Sequence, residues 1–150
     1  MIKIVPDANI LISGMLGFPG LPRKIINLSL VKRIVMYGSN ETYEEFCNKV
    51  YLPRLQKYWK TQIFTPEKMI LDYRLLMNMV EPFDMLTGVK IVKSDPDDDK
   101  YFRLAKACGA KIIVTGDKKI LEVKKYDGIR VTTARSFLES FSKLQQGDFL

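Results

Sequence analysis

At 150 residues the chain suits a single domain spanning 1–150 and leaves little room for a second independent core. Its 47% hydrophobic and 27% charged residues exclude a disordered tail or a fibre, and apolar runs such as residues 10–12 and 112–114 fall far short of the ~20 a membrane span requires. A formal net charge of +7 favours a polyanionic partner, although surplus lysine also keeps proteins soluble, and the absence of histidine removes the commonest general base and zinc ligand.

Met1 leads directly into an Ile-Lys-Ile-Val run with no basic and apolar leader pattern, so the cytoplasm is the expected compartment. Residues 2–5 are short, rich in β-branched side chains and followed by Pro6 and Asp7, which predicts a buried strand. A helix over 8–15 follows, then glycines and prolines between Gly17 and Pro22, then a second helix over about 23–30. Residues 33–37 predict another strand. Gly38, Ser39 and Asn40 supply turn and cap chemistry for a helix in which Tyr43, Phe46, Cys47 and Val50 recur at helical spacing before Pro53. Residues 54–81 pattern as a helical arm, with Thr65, Pro66 and Glu67 as its internal start signal. Residues 89–92 suit a short strand, and Ser94-Asp95-Pro96 opens a helix over about 97–108 that ends at Gly109. A strand over 111–115, a short helix from Asp117, a last strand over 129–131 and a helix over 134–141 complete the chain. Strands alternating with helices predict an α/β fold around a mostly parallel sheet, with its ligand site beyond the carboxyl ends of the strands.

Four acids fall at that edge: Asp7 after the first strand, Glu45 in the helix after the second, Asp98 opening the helix after the third, and Asp117 after the fourth. Carboxylates crowded into a low-dielectric cleft repel one another unless protons or cations neutralise them. Oxygen-only donors without histidine or thiolate suit Mg²⁺ or Mn²⁺, ions that serve phosphodiester hydrolysis. Each acid also has a plainer use. Asp95 with Pro96 reads as a helix start, and acids in the first turn suit the helix dipole. Asp98 is less easily explained, because it shares a helical face with Phe102 and Ala105. Asp7 could be a turn residue and Asp117 an N-cap. Glu45 lies nearly opposite Tyr43, Phe46, Cys47 and Val50 on a helical wheel, so the pattern does not choose it over Glu44. The aspartates at 95, 97 and 99 imitate a calcium loop, but Lys100 and Lys106 stand where its glycine and bidentate glutamate belong. The glycines form no nucleotide-cradling loop, and Cys47 and Cys108 lack metal-binding spacing.

Taken together, four segments resemble the PIN domain, in its branch of toxins from toxin-antitoxin pairs, over nearly the whole chain. Val5-Pro6-Asp7-Ala8-Asn9-Ile10-Leu11-Ile12-Ser13 resembles the opening motif of that family, with Pro6 as a departure. Ser39-Asn40-Glu41-Thr42-Tyr43-Glu44-Glu45-Phe46 resembles the segment of the second acid, in a register that falls on Glu45. Asp95-Pro96-Asp97-Asp98-Asp99-Lys100-Tyr101-Phe102 is similar to the third motif, and Val114-Thr115-Gly116-Asp117-Lys118 to the fourth. The resemblance implies a three-layer α/β/α sandwich. It further implies metal ligation by Asp7, Glu45, Asp98 and Asp117, with Asn9 and Thr115 supporting them. The implied activity is Mg²⁺- or Mn²⁺-dependent endoribonuclease cleavage of RNA by a homodimer that a cognate antitoxin protein silences. The alternatives are a catalytically idle scaffold or nucleic-acid binder, in which the acids are caps and surface charge, and a phosphatase or DNA nuclease using the same metal logic. Lysines 118, 119, 124 and 125 suit either phosphate gripping or a solvated face.

Overall fold

The alternation of apolar residues along Ile2–Pro6 (β1) sends Ile4 to one face of the sheet and Val5 to the other, and both are fully buried. The computed structural model describes residues 1–59, 64–83, 85–86 and 88–147, and of these residues 145–147 by backbone. After β1 come Ala8–Met15 (α1), Leu21–Leu30 (α2), Ile34–Gly38 (β2) and Asn40–Val50 (α3). A 3₁₀ turn at Pro53–Leu55 then precedes Gln56–Trp59 (α4), Pro66–Leu76 (α5) and Asn78–Met79 (β3). A second 3₁₀ turn at Pro96–Asp98 runs into Asp99–Cys108 (α6), followed by Ile112–Val114 (β4) and Lys118–Leu121 (α7). Lys125–Tyr126 (β5), Ile129–Thr132 (β6) and Ala134–Gly147 (α8) complete the fold.

The strands order as β3-β2-β1-β4-β6-β5, all parallel except β5, which pairs antiparallel with β6. Two cores lie against the two faces. One joins Ile4, Met36 and Val114 to α1, α2, α3, α5 and α8, and the other joins Val5, Ile113 and Val131 to α6 and α7. This is the three-layer α/β/α arrangement. Each fully buried side chain such as Phe46 or Phe102 contributes about 1.5–3 kcal/mol over its exposed state. Gly14 lets α1 and α2 approach closely, since a Cβ there would stand 2.8 Å from the Pro22 carbonyl oxygen. Gly109 ends α6 in the left-handed region at φ 78°, as its position in the sequence predicts.

The chain runs β1, β2, β3 outward in one direction, then crosses back to place β4 and β6 on the other side of β1. Direction therefore reverses between β1 and β4, the kind of switch point at which α/β sheets place a ligand crevice beyond the strand carboxyl ends. Several local features differ from the sequence expectation. Residues 89–92 form no strand: the backbone N–H groups of Ile91 and Val92 donate to the Asp99 carboxylate instead of to a ladder. The helical reading of 54–81 holds for α4 and α5, but β3 ends it and extends the sheet, while residues 60–63 lie outside the described residues. The segment is no free arm, because Met69 and Tyr73 are buried in the core. The Asp127-Gly128 turn folds β5 back on β6 with φ of 51° and 79°, and α8 runs past residue 141 to Gly147.

Candidate active site

Asp7 leaves β1 as the N-cap of α1 and is buried, with its backbone N–H donating to the Val114 carbonyl at 3.0 Å. One carboxylate oxygen accepts from the Ile10 N–H at 2.9 Å and the other accepts the Thr115 hydroxyl. Burial pushes its pKa up, against the pull of both hydrogen bonds and of Lys49, and Glu45 adds to the rise. Thr115 is fully buried just past β4, and its oxygen also accepts from the Asp117 N–H at 3.0 Å. One hydroxyl thus links the acids that follow β1 and β4. Asp117 caps α7 by accepting from the Lys119 N–H at 2.9 Å.

Asp98 approaches Asp117 and Glu45 from the end of the second 3₁₀ turn. Neither it nor Asp95 makes a side-chain cap, so capping does not explain their positions. It is only 6% exposed, and its Oδ2 is buried without a hydrogen-bond partner. Burial raises its pKa to about 6, and repulsion from Asp95, Asp117 and Glu45 reinforces the shift while Lys100 opposes it.

Glu45 is half-buried whereas Glu44 is exposed, which settles the side each faces. The wheel placed Glu45 on a solvated face because a wheel knows only its own helix. In the fold α6 covers that face, and the buried Tyr101 donates its hydroxyl to the Glu45 carboxylate. Lys49 and Lys100 also reach Glu45, at 3.8 and 3.6 Å. Burial and then Glu45 raise the Tyr101 pKa well above the ordinary phenol value, and Asp7 contributes too. Sequence reading missed Tyr101, although its place one turn after Asp98 was the available signal.

Asn9 is exposed on the first turn of α1 and accepts from the Arg54 guanidinium at 3.1 Å rather than touching an acid. Lys119 pairs with Asp95 at 3.7 Å, while Lys118, Lys124 and Lys125 are exposed and form no ion pair among the described residues.

Asp7, Glu45, Asp98 and Asp117 are therefore linked through one electrostatic field, Asp7 with Glu45 and Asp98 with both Glu45 and Asp117. As the side chains stand, no three of the acidic, histidine or cysteine groups among the described residues converge into a set able to hold an ion. Glu45 is turned toward Tyr101 and two lysines, and Asp117 toward its own helix. The donor chemistry nevertheless fits a hard divalent cation: every donor is oxygen, and the unpartnered Asp98 Oδ2 needs a positive charge or a proton.

The chain is thus a three-layer α/β protein that gathers acids at the switch point of its parallel sheet. A sequence model of the PIN domain family matches residues 3–119, a span containing all four acids, and the chain belongs to that family. PIN domains are typically nucleases, hydrolases of nucleic acids that generally bind divalent metals. The chain is 31% identical over 152 residues to the uncharacterized protein MJ1680 of Methanocaldococcus jannaschii, covering 95% of this chain and 93% of that one. The crystal structure of PAE2754 from Pyrobaculum aerophilum shares the fold, with a TM-score of 0.59 at 12% identity, covering 95% of this chain and 90% of that one. Among the described residues no helix is long and apolar enough to cross a membrane.

Proposed function

We propose that this PIN domain is a cytoplasmic endoribonuclease that hydrolyses RNA phosphodiester bonds with Mg²⁺ or Mn²⁺ held by Asp7, Glu45, Asp98 and Asp117. The observation that carries the reading is the buried, unpartnered Asp98 oxygen under the combined repulsion of Asp95, Asp117 and Glu45. A site that raises the energy of its own acids in this way gains most from a bound cation.

When bound, the ion would supply Lewis acidity toward the scissile phosphate and lower the pKa of a water. The chain's own contribution is positional. Thr115 and the α1 N-terminus fix the Asp7 carboxylate, so that it can bind without reorganising. Tyr101 fixes Glu45 from the α6 side. A cation held by Glu45 would compete with Lys49 and Lys100 for its carboxylate, and an ammonium group so freed would be available to substrate phosphates. RNA as substrate rests on the resemblance to toxin relatives and on the +7 net charge. A toxin role, with a homodimer silenced by an antitoxin protein, belongs to the same proposal.

The two lysines also favour a second reading. By already neutralising Glu45 they could stand in for a metal, leaving a PIN scaffold that binds nucleic acid without cutting it. An RNA cleavage assay with Mg²⁺ or Mn²⁺ separates the two. The ribonuclease reading expects cleavage that chelation, Asp7→Asn and Asp98→Asn each abolish. Binding without cleavage under every divalent ion would establish the scaffold instead.

A further inference from the structure

Most cations near the crevice are already engaged by acids. Lys49 and Lys100 hold Glu45, Arg103 holds Glu41 at 2.9 Å, and Lys119 holds Asp95. Arg54 differs. Among the described residues no carboxylate lies within ion-pair distance of it, and its one hydrogen bond is to a neutral acceptor, the Asn9 side-chain oxygen. Asn9 sits two residues beyond Asp7, on the turn whose N-terminus receives the Asp7 carboxylate.

The local backbone explains how Arg54 is aimed. Pro53 opens the 3₁₀ turn with its fixed φ, and Leu55 closes it buried in the core, so the residue between them is held by both neighbours. Arg54 itself is exposed, and a guanidinium carries five N–H donors in a planar fork. One donor is spent on Asn9. The others, held near Asp7 through Asn9 and with no acid among the described residues to satisfy them, match the oxygens of a phosphate.

We propose that Arg54 is a substrate-binding residue that grips a phosphate of the RNA strand beside the one being cut, and that Asn9 is the positioning residue that aims it. The inference rests on the nuclease reading above. It gives Asn9 a task on the substrate side of the site and leaves the acids to the metal side. A neutral amide suits that task, because an acid at position 9 would neutralise the guanidinium and compete with the phosphate.

The test uses a fluorescein-labelled single-stranded RNA with the full chain. Binding is followed by anisotropy at several salt concentrations without added divalent ion, and cleavage is followed with Mn²⁺. Loss of one phosphate contact to a single strand flattens the slope of log affinity against log salt by about 0.7. Arg54→Ala and Arg54→Met, the second retaining an apolar stem, are expected to show that flattening, about 10-fold weaker binding and a raised KM. Arg54→Lys keeps the salt slope near that of the parent while losing the fork geometry. Asn9→Ala weakens binding without changing the slope, and Asn9→Asp weakens it more. Cleavage by the parent chain with an unchanged affinity and salt slope in Arg54→Ala would overturn this inference alone. A parent chain that neither binds nor cleaves the RNA would overturn the nuclease reading and this inference with it.

Discussion

Asp7 and Asp98 are both buried aspartates at one edge of one sheet, yet Asp7 has both oxygens engaged by donors of the chain and Asp98 has an oxygen with none. Asp7 gains its donors from regular structure: it follows β1, caps α1, and stands beside Thr115 at the end of the neighbouring strand. Asp98 arrives at the end of a 3₁₀ turn, where no backbone N–H is directed at its Oδ2. The first acid is therefore part of the fold's hydrogen bonding, while the second is carried by the fold at a cost. In a binding site the two conditions are complementary, since a fixed donor sets geometry and an unsatisfied one supplies driving force.

The largest expected effect is on chemistry. Asp98→Asn should reduce Mn²⁺-dependent RNA cleavage by ~100-fold or more, because even residues that only support metal ligands cost 10–100-fold when removed. The same variant should unfold at an equal or higher denaturant midpoint than the parent, since it removes a repelled charge. A marked loss of stability would show that Asp98 is structural and dissolve the contrast with Asp7.

Thr115→Val probes the other side of the comparison. It leaves one Asp7 oxygen buried without its donor and should cost about 1–3 kcal/mol in chemical denaturation. An unchanged midpoint would mean that Asp7 is no better satisfied than Asp98.

The acids also set a pH dependence. Folded Asp98 keeps its proton up to about pH 6, whereas its ordinary value is 3.8. Between those limits the folded state binds more protons than the unfolded state, so without added cation stability falls as pH rises through this window and levels off above it. Asp7, also shifted upward, acts in the same direction. The loss attributable to Asp98 is at most about 3 kcal/mol, and urea midpoints at pH 4, 5, 6 and 7 should show it in the parent and less of it in Asp98→Asn. A smaller effect is expected from Lys100→Met. Lys100 lowers the Asp98 pKa, so its removal should move the same transition to higher pH.

Much of this edge was legible in the sequence because the signals were local. Strand propensity followed by Asp7, the Thr-x-Asp step from Thr115 to Asp117, and Asp98 on the same helical face as Phe102 each lie within a few residues. What escaped depended on distant partners. The half-burial of Glu45 comes from Tyr101 across the α3–α6 contact, 56 residues away, which no wheel of α3 contains. Asn9 finds its partner in Arg54, 45 residues away. Residues 89–92 have the composition of a strand, but the Asp99 carboxylate takes the N–H groups of Ile91 and Val92. The β5–β6 hairpin was different, since Asp127-Gly128 is a turn signal in plain view between short and lysine-rich flanks.

Calorimetric titration of the metal-free chain with Mn²⁺ at pH 7, repeated on Asp98→Asn, tests the proposed cation site most directly. The account predicts saturable uptake by the parent, a matching rise in thermal midpoint through mass action, and loss of both in the variant. A folded parent chain that takes up no Mn²⁺ at millimolar concentration, or a variant that binds it equally well, would contradict the account.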